Sequence, residues 1–208
     1  MSGLTLRPER DGEEPVVRAV VARAFAHQPV VPDLVDALRA SPAWVPGLSF
    51  LAELGGELVG HVLTIRSLLD APRSLVDVLV ISPLGVVPEY QGQGVGSALM
   101  RHCLASLTGR PEPLVFLEGS PTFYVRFGFR PAGAQGFRRP SLRIPEPGFM
   151  VYLQPGYREW MSGTLVYPDP FWRLDCVGVR DNAGAAPKRP QVTSEAPKMR
   201  AILQRGDV

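Results

Sequence analysis

The segment that decides the fold is residues 79–100, with the sequence LVISPLGVVPEYQGQGVGSALM. It begins as a continuous run rich in Val, Ile and Leu, which is typical of a buried strand. Pro88 ends that strand, because proline has no N–H to donate to a neighbouring strand. Glycines follow at positions 92, 94 and 96, and apolar residues recur at helical spacing from Val95 to Leu107. The segment therefore predicts a strand, a glycine-rich turn and a helix.

The glycine-rich turn predicts an anion-binding site. Glycine lacks a Cβ, so several backbone N–H groups can converge on one anion. The start of the following helix adds N–H groups without intrahelical partners and the positive end of the helix dipole. Such a site is suited to a phosphate or a pyrophosphate.

Two common phosphate-binding motifs do not describe this turn. A nucleoside triphosphatase loop ends in Gly-Lys-Ser or Gly-Lys-Thr, and the turn contains no lysine. The dinucleotide fingerprint GxGxxG would place its third glycine at Ser97, and the insert PEYQ separates the strand from the turn. One alternative is that the protein binds another nucleotide and holds its phosphate on this turn.

The pattern that fits is QGQGVG at residues 91–96, a Q/R-x-x-G-x-G/A loop behind a strand that ends LGVVP. This resembles the coenzyme A-binding signature of the GNAT superfamily of N-acetyltransferases. The resemblance implies acetyl-CoA as the co-substrate, with its pyrophosphate on the loop and its pantetheine arm on the end of the strand. Pro83 would interrupt strand pairing there and leave backbone groups free. The expected coenzyme A-binding residues are Leu84, Gly85, Val86, Gln91, Gly92, Gln93, Gly94, Val95, Gly96 and Ser97.

A second stretch carries the same resemblance. Leu114–Glu118 predicts a short strand, and PTFYVRFGFRP follows at residues 121–131. It resembles the family's FYxxFGF segment, in which a short helix carries a tyrosine beside the reacting sulfur. Gly128 suits the glycine that ends this helix. The resemblance makes Tyr124 the candidate general acid, since a phenol can protonate a departing thiolate. The alternative is an aromatic core residue that packs against the neighbouring phenylalanines.

The general base is less sharply defined by the sequence. Some family members carry a histidine or glutamate on the strand before the loop, whereas residues 78–87 contain no titratable side chain. Base action through a water could come from Glu53, His61, Asp77 or Glu118. Glu118 is the preferred candidate, because it ends a strand near the expected cleft. Solvent as the proton acceptor is the alternative.

The two cysteines suggest neither a covalent intermediate nor a disulfide framework. Cys103 lies on the apolar stripe of the helix after the loop, and buried cysteines are usually unreactive. Cys176 lies far away in the sequence, so a reducing cytoplasm is the expected compartment. No cluster of His, Cys, Asp and Glu has the spacing of metal ligands, and we therefore expect no metal.

The composition limits the functions to be considered. The chain has 208 residues, 45% hydrophobic and 20% charged, as in an ordinary soluble globular protein. The formal net charge of +2 is too small to argue for binding to nucleic acid or to a membrane surface. No stretch is long and apolar enough to span a bilayer, and the N-terminus lacks an apolar signal core.

The remaining patterns complete an α/β fold. Strands are expected at residues 4–7, 48–54, 58–68 and 149–153, and helices at residues 15–26 and 32–39. Gly55 and Gly56 predict a hairpin turn, Asp11 and Glu14 a capping box, and residues 41–47 a loop. This order agrees with the fold that the resemblance implies, a GNAT-like mixed and mostly antiparallel central sheet flanked by helices.

Three regions are expected along the chain. Residues 1–153 form the acetyltransferase domain. Residues 154–180 are rich in aromatic residues, prolines and glycines, which indicates an irregular extension packed on that domain. Residues 181–208 have no aromatic residue and cannot bury enough apolar area to offset their chain entropy, so a disordered tail is expected.

The resemblance implies an N-acetyltransferase. We expect it to move an acetyl group from acetyl-CoA to a primary amine of a small molecule or peptide, by direct attack in a ternary complex. The alternative is an acyl-CoA-binding module that regulates a partner without turnover. No nucleic acid or membrane partner is expected, and a homodimer is compatible with the frequent dimerisation of the family.

Overall fold

The computed structural model describes residues 3–178 and residue 180. Within this part of the chain the helices are α1 (Glu14–Ala24), α2 (Val31–Arg39), α3 (Val95–Ser106), α4 (Pro121–Tyr124) and α5 (Asp169–Arg173). The strands are β1 (Leu4–Pro8), β2 (Trp44–Leu54), β3 (Glu57–Asp70), β4 (Leu75–Val86), β5 (Leu114–Glu118), β6 (Arg130–Pro131), β7 (Phe137–Arg138), β8 (Phe149–Leu153) and β9 (Gly163–Val166).

All of these strands belong to one sheet. Its order is β1-β2-β3-β4-β5-β8-β6, and β9 pairs with both β3 and β7. The β4–β5 and β7–β9 pairs are parallel, whereas the other pairs are antiparallel. The predicted mixed, mostly antiparallel sheet is therefore confirmed. The predicted hairpin is also present, since Gly55 and Gly56 join β2 to β3 at φ angles of 61° and 86° that favour glycine.

Helices cover both faces of the sheet. On β2, Leu51 packs with Val17 and Val21 of α1, whereas the neighbouring Phe50 packs with Leu99 of α3. Because successive side chains of a strand point to opposite faces, α1 and α3 lie on opposite sides of the sheet. The predicted strand, turn and helix are thus present as β4, residues 87–94 and α3. None of the helices within residues 3–178 is long and apolar enough to cross a membrane.

Two local predictions near the N-terminus are wrong. Residues 41–47 were expected to form a loop, but β2 begins at Trp44, and Pro46 and Gly47 fall in a register shift between Trp44 and Ser49. The capping box of Asp11 and Glu14 is absent, because Glu13 occupies the N-cap position. The Glu13 carboxylate accepts hydrogen bonds from Arg7 at 2.7 and 2.8 Å instead.

The segment after β8 contains more regular structure than the sequence suggested. The expected irregular extension, residues 154–180, includes β9 and α5. Strand β9 adds to the outer end of β3, where Leu69 pairs with Leu165. Leu165 and Phe171 are buried with exposed fractions of 1% and 2%, so the extension completes the core on the α1 face. The predicted tail, residues 181–208, lies outside the described residues.

Candidate active site

Strands β4 and β5 separate after a short parallel contact. They pair only where Leu79 and Val80 face Val115 and Phe116. Beyond this point β4 continues along β3 to Val86, and β5 continues along β8 to its end. The sheet therefore opens between the C-terminal halves of these two strands.

The open edge of β4 exposes backbone groups. Val87 N–H donates to the Val59 carbonyl on β3 at 2.9 Å. Paired residues of an antiparallel ladder alternate between bonded and unbonded, so Leu84 and Val86 turn their N–H and C=O groups away from β3, towards the opening. The Gln91 side chain already donates to the Val86 carbonyl at 2.9 Å, which agrees with this direction. The Leu84 backbone and the Val86 N–H are thus available to a ligand.

Gly85 is oriented differently from its two neighbours. It lies opposite His61 on β3, and a Cβ added there would be 2.5 Å from the Phe25 ring and 2.9 Å from the Ala24 Cβ. A glycine is required at this position because the end of α1 packs directly on the strand. Gly85 therefore allows α1 to pack against the strand at the site. Its own N–H and C=O groups face β3 and are not directed towards the opening.

The glycine-rich loop presents unpaired N–H groups at the start of α3. Gly94 is the N-cap residue with φ of 87°, and Gly92 has φ of 71°, both in the left-handed region that favours glycine. The Gln93 side chain donates to the Glu89 carbonyl at 2.9 Å and thereby fixes the loop internally. Within residues 3–178, no backbone carbonyl accepts from the N–H groups of residues 92–97. These groups and the helix dipole suit a pyrophosphate.

An arginine that the sequence analysis did not single out lies beside this loop. Arg126 donates from Nη2 to the Ser97 hydroxyl at 3.0 Å and from Nε to the Phe123 carbonyl at 3.0 Å. Its guanidinium also lies over the rings of Phe123 and Phe127, 4.4 and 5.1 Å from their centroids. Stacking and hydrogen bonds hold a positive charge next to the first turn of α3. The FYVRFGF motif contains this arginine, which was the signal available in the sequence.

Tyr124 lies at the end of α4 with its ring mostly buried. The ring packs edge-on against Phe123 at 4.9 Å, and Gly119 lies beneath it, where an added Cβ would be 2.2 Å from the Tyr124 ring. Burial raises the pKa of Tyr124 to about 12. The phenol is therefore protonated over the physiological pH range and can donate a hydrogen bond. Gly128 ends the following turn at φ of 92°, as predicted.

Glu118 ends β5 and is held by a tyrosine from the extension. The Tyr167 hydroxyl donates to Glu118 Oε1 at 2.7 Å. Burial raises the pKa of Glu118 above its ordinary value, while the Tyr167 hydrogen bond and the charge of Arg143 oppose the shift. Burial and the adjacent carboxylate also raise the pKa of Tyr167, so its hydroxyl is a permanent donor.

One cavity of about 760 Å³ brings these groups together at the opening between β4 and β5. Tyr124, Glu118 and Leu84 line it. Its other walls come from α1 and α2, from the loop before β8, and from the extension. Ile81 of β4 also lines the cavity, and the other walls include Phe25, Gln28, Val30, Val31, Leu34, Ile144, Pro145, Tyr167, Phe171, Asp175, Cys176 and Arg180.

The other candidate bases do not line this cavity. Glu53 lies 3.4 Å from Arg7 in an ion pair, and Asp77 is exposed on β4. His61 is buried beside Ser49, whose hydroxyl lies 2.9 Å from Nε2, and burial lowers its pKa to about 3. Of the four candidates, Glu118 alone reaches the cavity.

Cys176 lines the cavity, but burial raises the pKa of its thiol, and among the described residues the opening holds no metal site. Cys103 is fully buried, 3.1 Å from the Thr64 hydroxyl, and burial raises its pKa to about 11. A thiol with this pKa stays protonated and is a poor nucleophile. Among the described residues, no group of three or more His, Cys, Asp or Glu side chains could hold a metal ion.

Solved structures similar to this chain include two with bound coenzyme. One is a GNAT family acetyltransferase from Brucella melitensis in complex with acetyl-CoA, at 26% identity and a TM-score of 0.65, covering 82% of this chain and 99% of that chain. The other is YhbS from Escherichia coli in complex with CoA, at 25% identity and a TM-score of 0.70, covering 82% and 93%.

Two curated relatives are more similar in sequence. The N-acetyltransferase YjhQ of Escherichia coli is 38% identical over 131 residues, which is 62% of this chain and 71% of YjhQ. The mycothiol acetyltransferase of Streptomyces bingchenggensis is 38% identical over 145 residues, and the match spans 43% of its length. The chain thus spans less than half of that enzyme. The family model described as acetyltransferase (GNAT) domain matches residues 5–132, more than half of the chain, and this protein therefore belongs to the GNAT family of N-acetyltransferases.

Proposed function

We propose that this protein transfers the acetyl group of acetyl-CoA to a primary amine by direct attack in a ternary complex. The observation that carries the proposal is the cavity at the open β4–β5 edge, which both Tyr124 and Glu118 line. The free N–H groups of the loop lie on the same edge, at the start of α3. The two similar structures with acetyl-CoA and CoA support the choice of co-substrate.

The donor side of the site acts by positioning. In our proposal, the backbone of Leu84 and Val86 binds the pantetheine arm, and the N–H groups of residues 92–97 bind the pyrophosphate. Arg126 adds a positive charge beside that loop. Fixing the thioester beside the amine supplies much of the rate enhancement, because the reaction then becomes effectively unimolecular.

Glu118 acts as the general base on the acceptor. An amine enters mostly as an ammonium, and the carboxylate takes one of its protons so that the nitrogen lone pair can attack the thioester carbon. The Tyr167 hydrogen bond on Oε1 fixes the carboxylate and leaves Oε2 for the amine. A C–N bond forms and the C–S bond breaks; the nitrogen then loses its second proton to solvent, and Glu118 releases the first one to solvent as well.

Tyr124 acts as the general acid on the departing sulfur. Its hydroxyl donates to the sulfur while the C–S bond breaks, and solvent then returns a proton to the phenol. Because burial raises the pKa of Tyr124 to about 12, above that of a free thiol, the transfer is uphill and is completed by the proton that solvent returns to the phenol. Cys103 is too buried and too weakly acidic to form an acyl-enzyme.

Release of free thiol from acetyl-CoA in the presence of a panel of primary amines tests the proposal. Turnover with at least one amine, and loss of turnover in Glu118→Gln, are expected. Binding of CoA without turnover of any amine would support the regulatory module instead. Thermal shifts with CoA, NAD and ATP test the third alternative, a protein that binds another nucleotide. If the protein is an acetyltransferase or an acyl-CoA-binding module, only CoA should stabilise the fold.

A further inference from the structure

The acceptor side of the cavity is built largely by residues beyond the part that the family model matches. That match ends at residue 132, whereas Ile144, Tyr167, Phe171 and Asp175 all line the cavity. The remaining acceptor wall comes from the end of α1 and the start of α2. The chemical class of the acceptor must therefore be inferred from the residues of this chain that line the cavity.

Charge in the cavity is concentrated at one carboxylate. Asp175 and Arg180 also line the cavity, and Asp175 accepts hydrogen bonds from Arg143 at 2.7 Å and from Arg180 at 2.8 Å, so the three groups together carry one net positive charge. Glu118 has a neutral hydrogen-bond donor, the Tyr167 hydroxyl. One positive charge on the acceptor can thus pair with Glu118, whereas a second one would meet the arginines at the rim.

Much of the cavity wall is apolar, although Gln28 and Ser82 also line it. Phe25, Val31 and Leu34 line the cavity from α1 and α2, and Ile144 and Phe171 line it from the later segments. These side chains offer no hydrogen bonds to a polar body. A charged or hydroxylated group placed against them would lose its hydration without compensation.

We infer that the acceptor is a monocationic primary amine whose body is apolar, an alkylamine or arylalkylamine. This inference rests on the proposed function, since it assigns the acceptor of the same site. The ammonium pairs with Glu118, and the apolar body packs between the α1–α2 wall and the extension. Polyamines and amino sugars are disfavoured by the same wall, because they would place a second charge or several hydroxyls against apolar side chains.

The test compares amines that differ in one feature. Hexylamine and hexamethylenediamine share a six-carbon chain and differ by one ammonium, while ethylamine keeps the ammonium and shortens the chain. We expect kcat/KM for hexylamine to exceed both others by about tenfold or more, because ethylamine buries less apolar surface and the second ammonium of the diamine loses its hydration against the apolar wall. Equal or higher kcat/KM with the diamine would overturn the inference.

A matched pair of variants tests whether the apolar wall causes the preference for hexylamine over hexamethylenediamine. Val30 lines the cavity, is half-buried and occupies the N-cap position of α2, where Asp and Asn are both favoured. Val30→Asp adds a carboxylate to the apolar wall, whereas Val30→Asn has the same shape without the charge. The diamine-to-hexylamine ratio of kcat/KM should rise about fivefold or more in Val30→Asp relative to Val30→Asn. Equal ratios in the two variants would overturn the assignment of this wall.

Calorimetry with the CoA-loaded protein separates failure of this inference from failure of the proposed function. If no amine is acetylated, the proposed function fails, yet hexylamine should still bind more tightly than hexamethylenediamine. If amines are acetylated but the diamine binds as tightly as hexylamine, the acceptor class is wrong and the proposed function stands.

Discussion

The Tyr167 hydroxyl donates a hydrogen bond to Glu118 Oε1 at 2.7 Å, although 49 residues separate the two in the sequence. Strand β9 makes this contact possible, because its pairing with β3 delivers Tyr167 to the end of β5. The carboxylate is thereby fixed at the opening between β4 and β5. The extension after β8 thus contributes to the candidate active site as well as to the core.

Tyr167→Phe should move the acidic limb of the pH–rate profile to higher pH. The hydroxyl stabilises the ionised carboxylate and so lowers the pKa of Glu118, while burial raises it. Without the hydroxyl the pKa rises further, and the fraction of ionised base at a given pH falls. The measurement is kcat/KM across pH. The control is Tyr157→Phe, which removes a hydroxyl outside the cavity and should leave the acidic limb of the profile in place. If the acidic limb does not move in Tyr167→Phe either, Glu118 is not the base.

Glu118→Gln should abolish most activity and yet stabilise the fold at neutral pH. The amide oxygen can still accept from Tyr167, but the buried charge is gone. Because the pKa of Glu118 is raised in the folded state, its charge destabilises the fold as pH rises through that pKa. We expect Tm to increase by about 2 °C or more near pH 7, and the difference to disappear at about pH 4. A lower Tm at neutral pH would contradict this account of the site.

Gly94→Ala should weaken acetyl-CoA binding by about tenfold or more. Gly94 has φ of 87°, which alanine adopts only with strain, so the loop must change shape and its N–H groups diverge. Gly109→Ala is the matched control, because Gly109 has φ of 81° and open space around it in the turn after α3. Both variants should lose similar thermal stability. Calorimetry with acetyl-CoA should distinguish them, and equal affinity would mean that the loop does not bind the pyrophosphate.

Arg126→Gln should lower acetyl-CoA affinity by roughly tenfold and reduce its dependence on salt. The guanidinium donates to Ser97 in the first turn of α3 and brings a positive charge to the loop. Arg173→Gln changes the net charge equally, but Arg173 is an exposed residue of α5 paired with Asp169, so binding should not change. Identical affinities for the two variants at low salt would show that Arg126 has only a packing role.

The sequence predicts those parts of the site that consecutive residues form. Strand β4, the glycine loop and α3 follow one another directly, and periodicity with glycine spacing was sufficient to place them. Tyr124 was proposed as the candidate acid from a contiguous motif. The Tyr167 contact could not be predicted, because it depends on which strand edge β9 joins, and local patterns do not carry that information. The direction of the Leu84 and Gly85 backbone likewise depends on register with β3.

Tyr124→Phe should reduce kcat by roughly 10²-fold, the usual scale of general acid catalysis, with little change in acetyl-CoA affinity. The variant keeps the ring contacts with Phe123 and Phe129 and removes the hydroxyl alone. Since burial raises the pKa of Tyr124 to about 12, its ionisation lies above the range in which the enzyme can be assayed. The kcat profile between about pH 6 and pH 10 should therefore fall uniformly and keep its shape.

Tyr152→Phe is the control for this experiment, because Tyr152 also packs against Phe129, at 5.6 Å, but lies outside the cavity. Its kcat should match that of the unmodified protein. If Tyr124→Phe and Tyr152→Phe both retain full kcat, solvent protonates the thiolate and Tyr124 is a packing residue. If Tyr124→Phe lowers kcat at neutral pH but the reduction disappears at high pH, the phenol ionises within the assayed range, and its pKa in the acetyl-CoA complex is lower than burial in the free protein dictates.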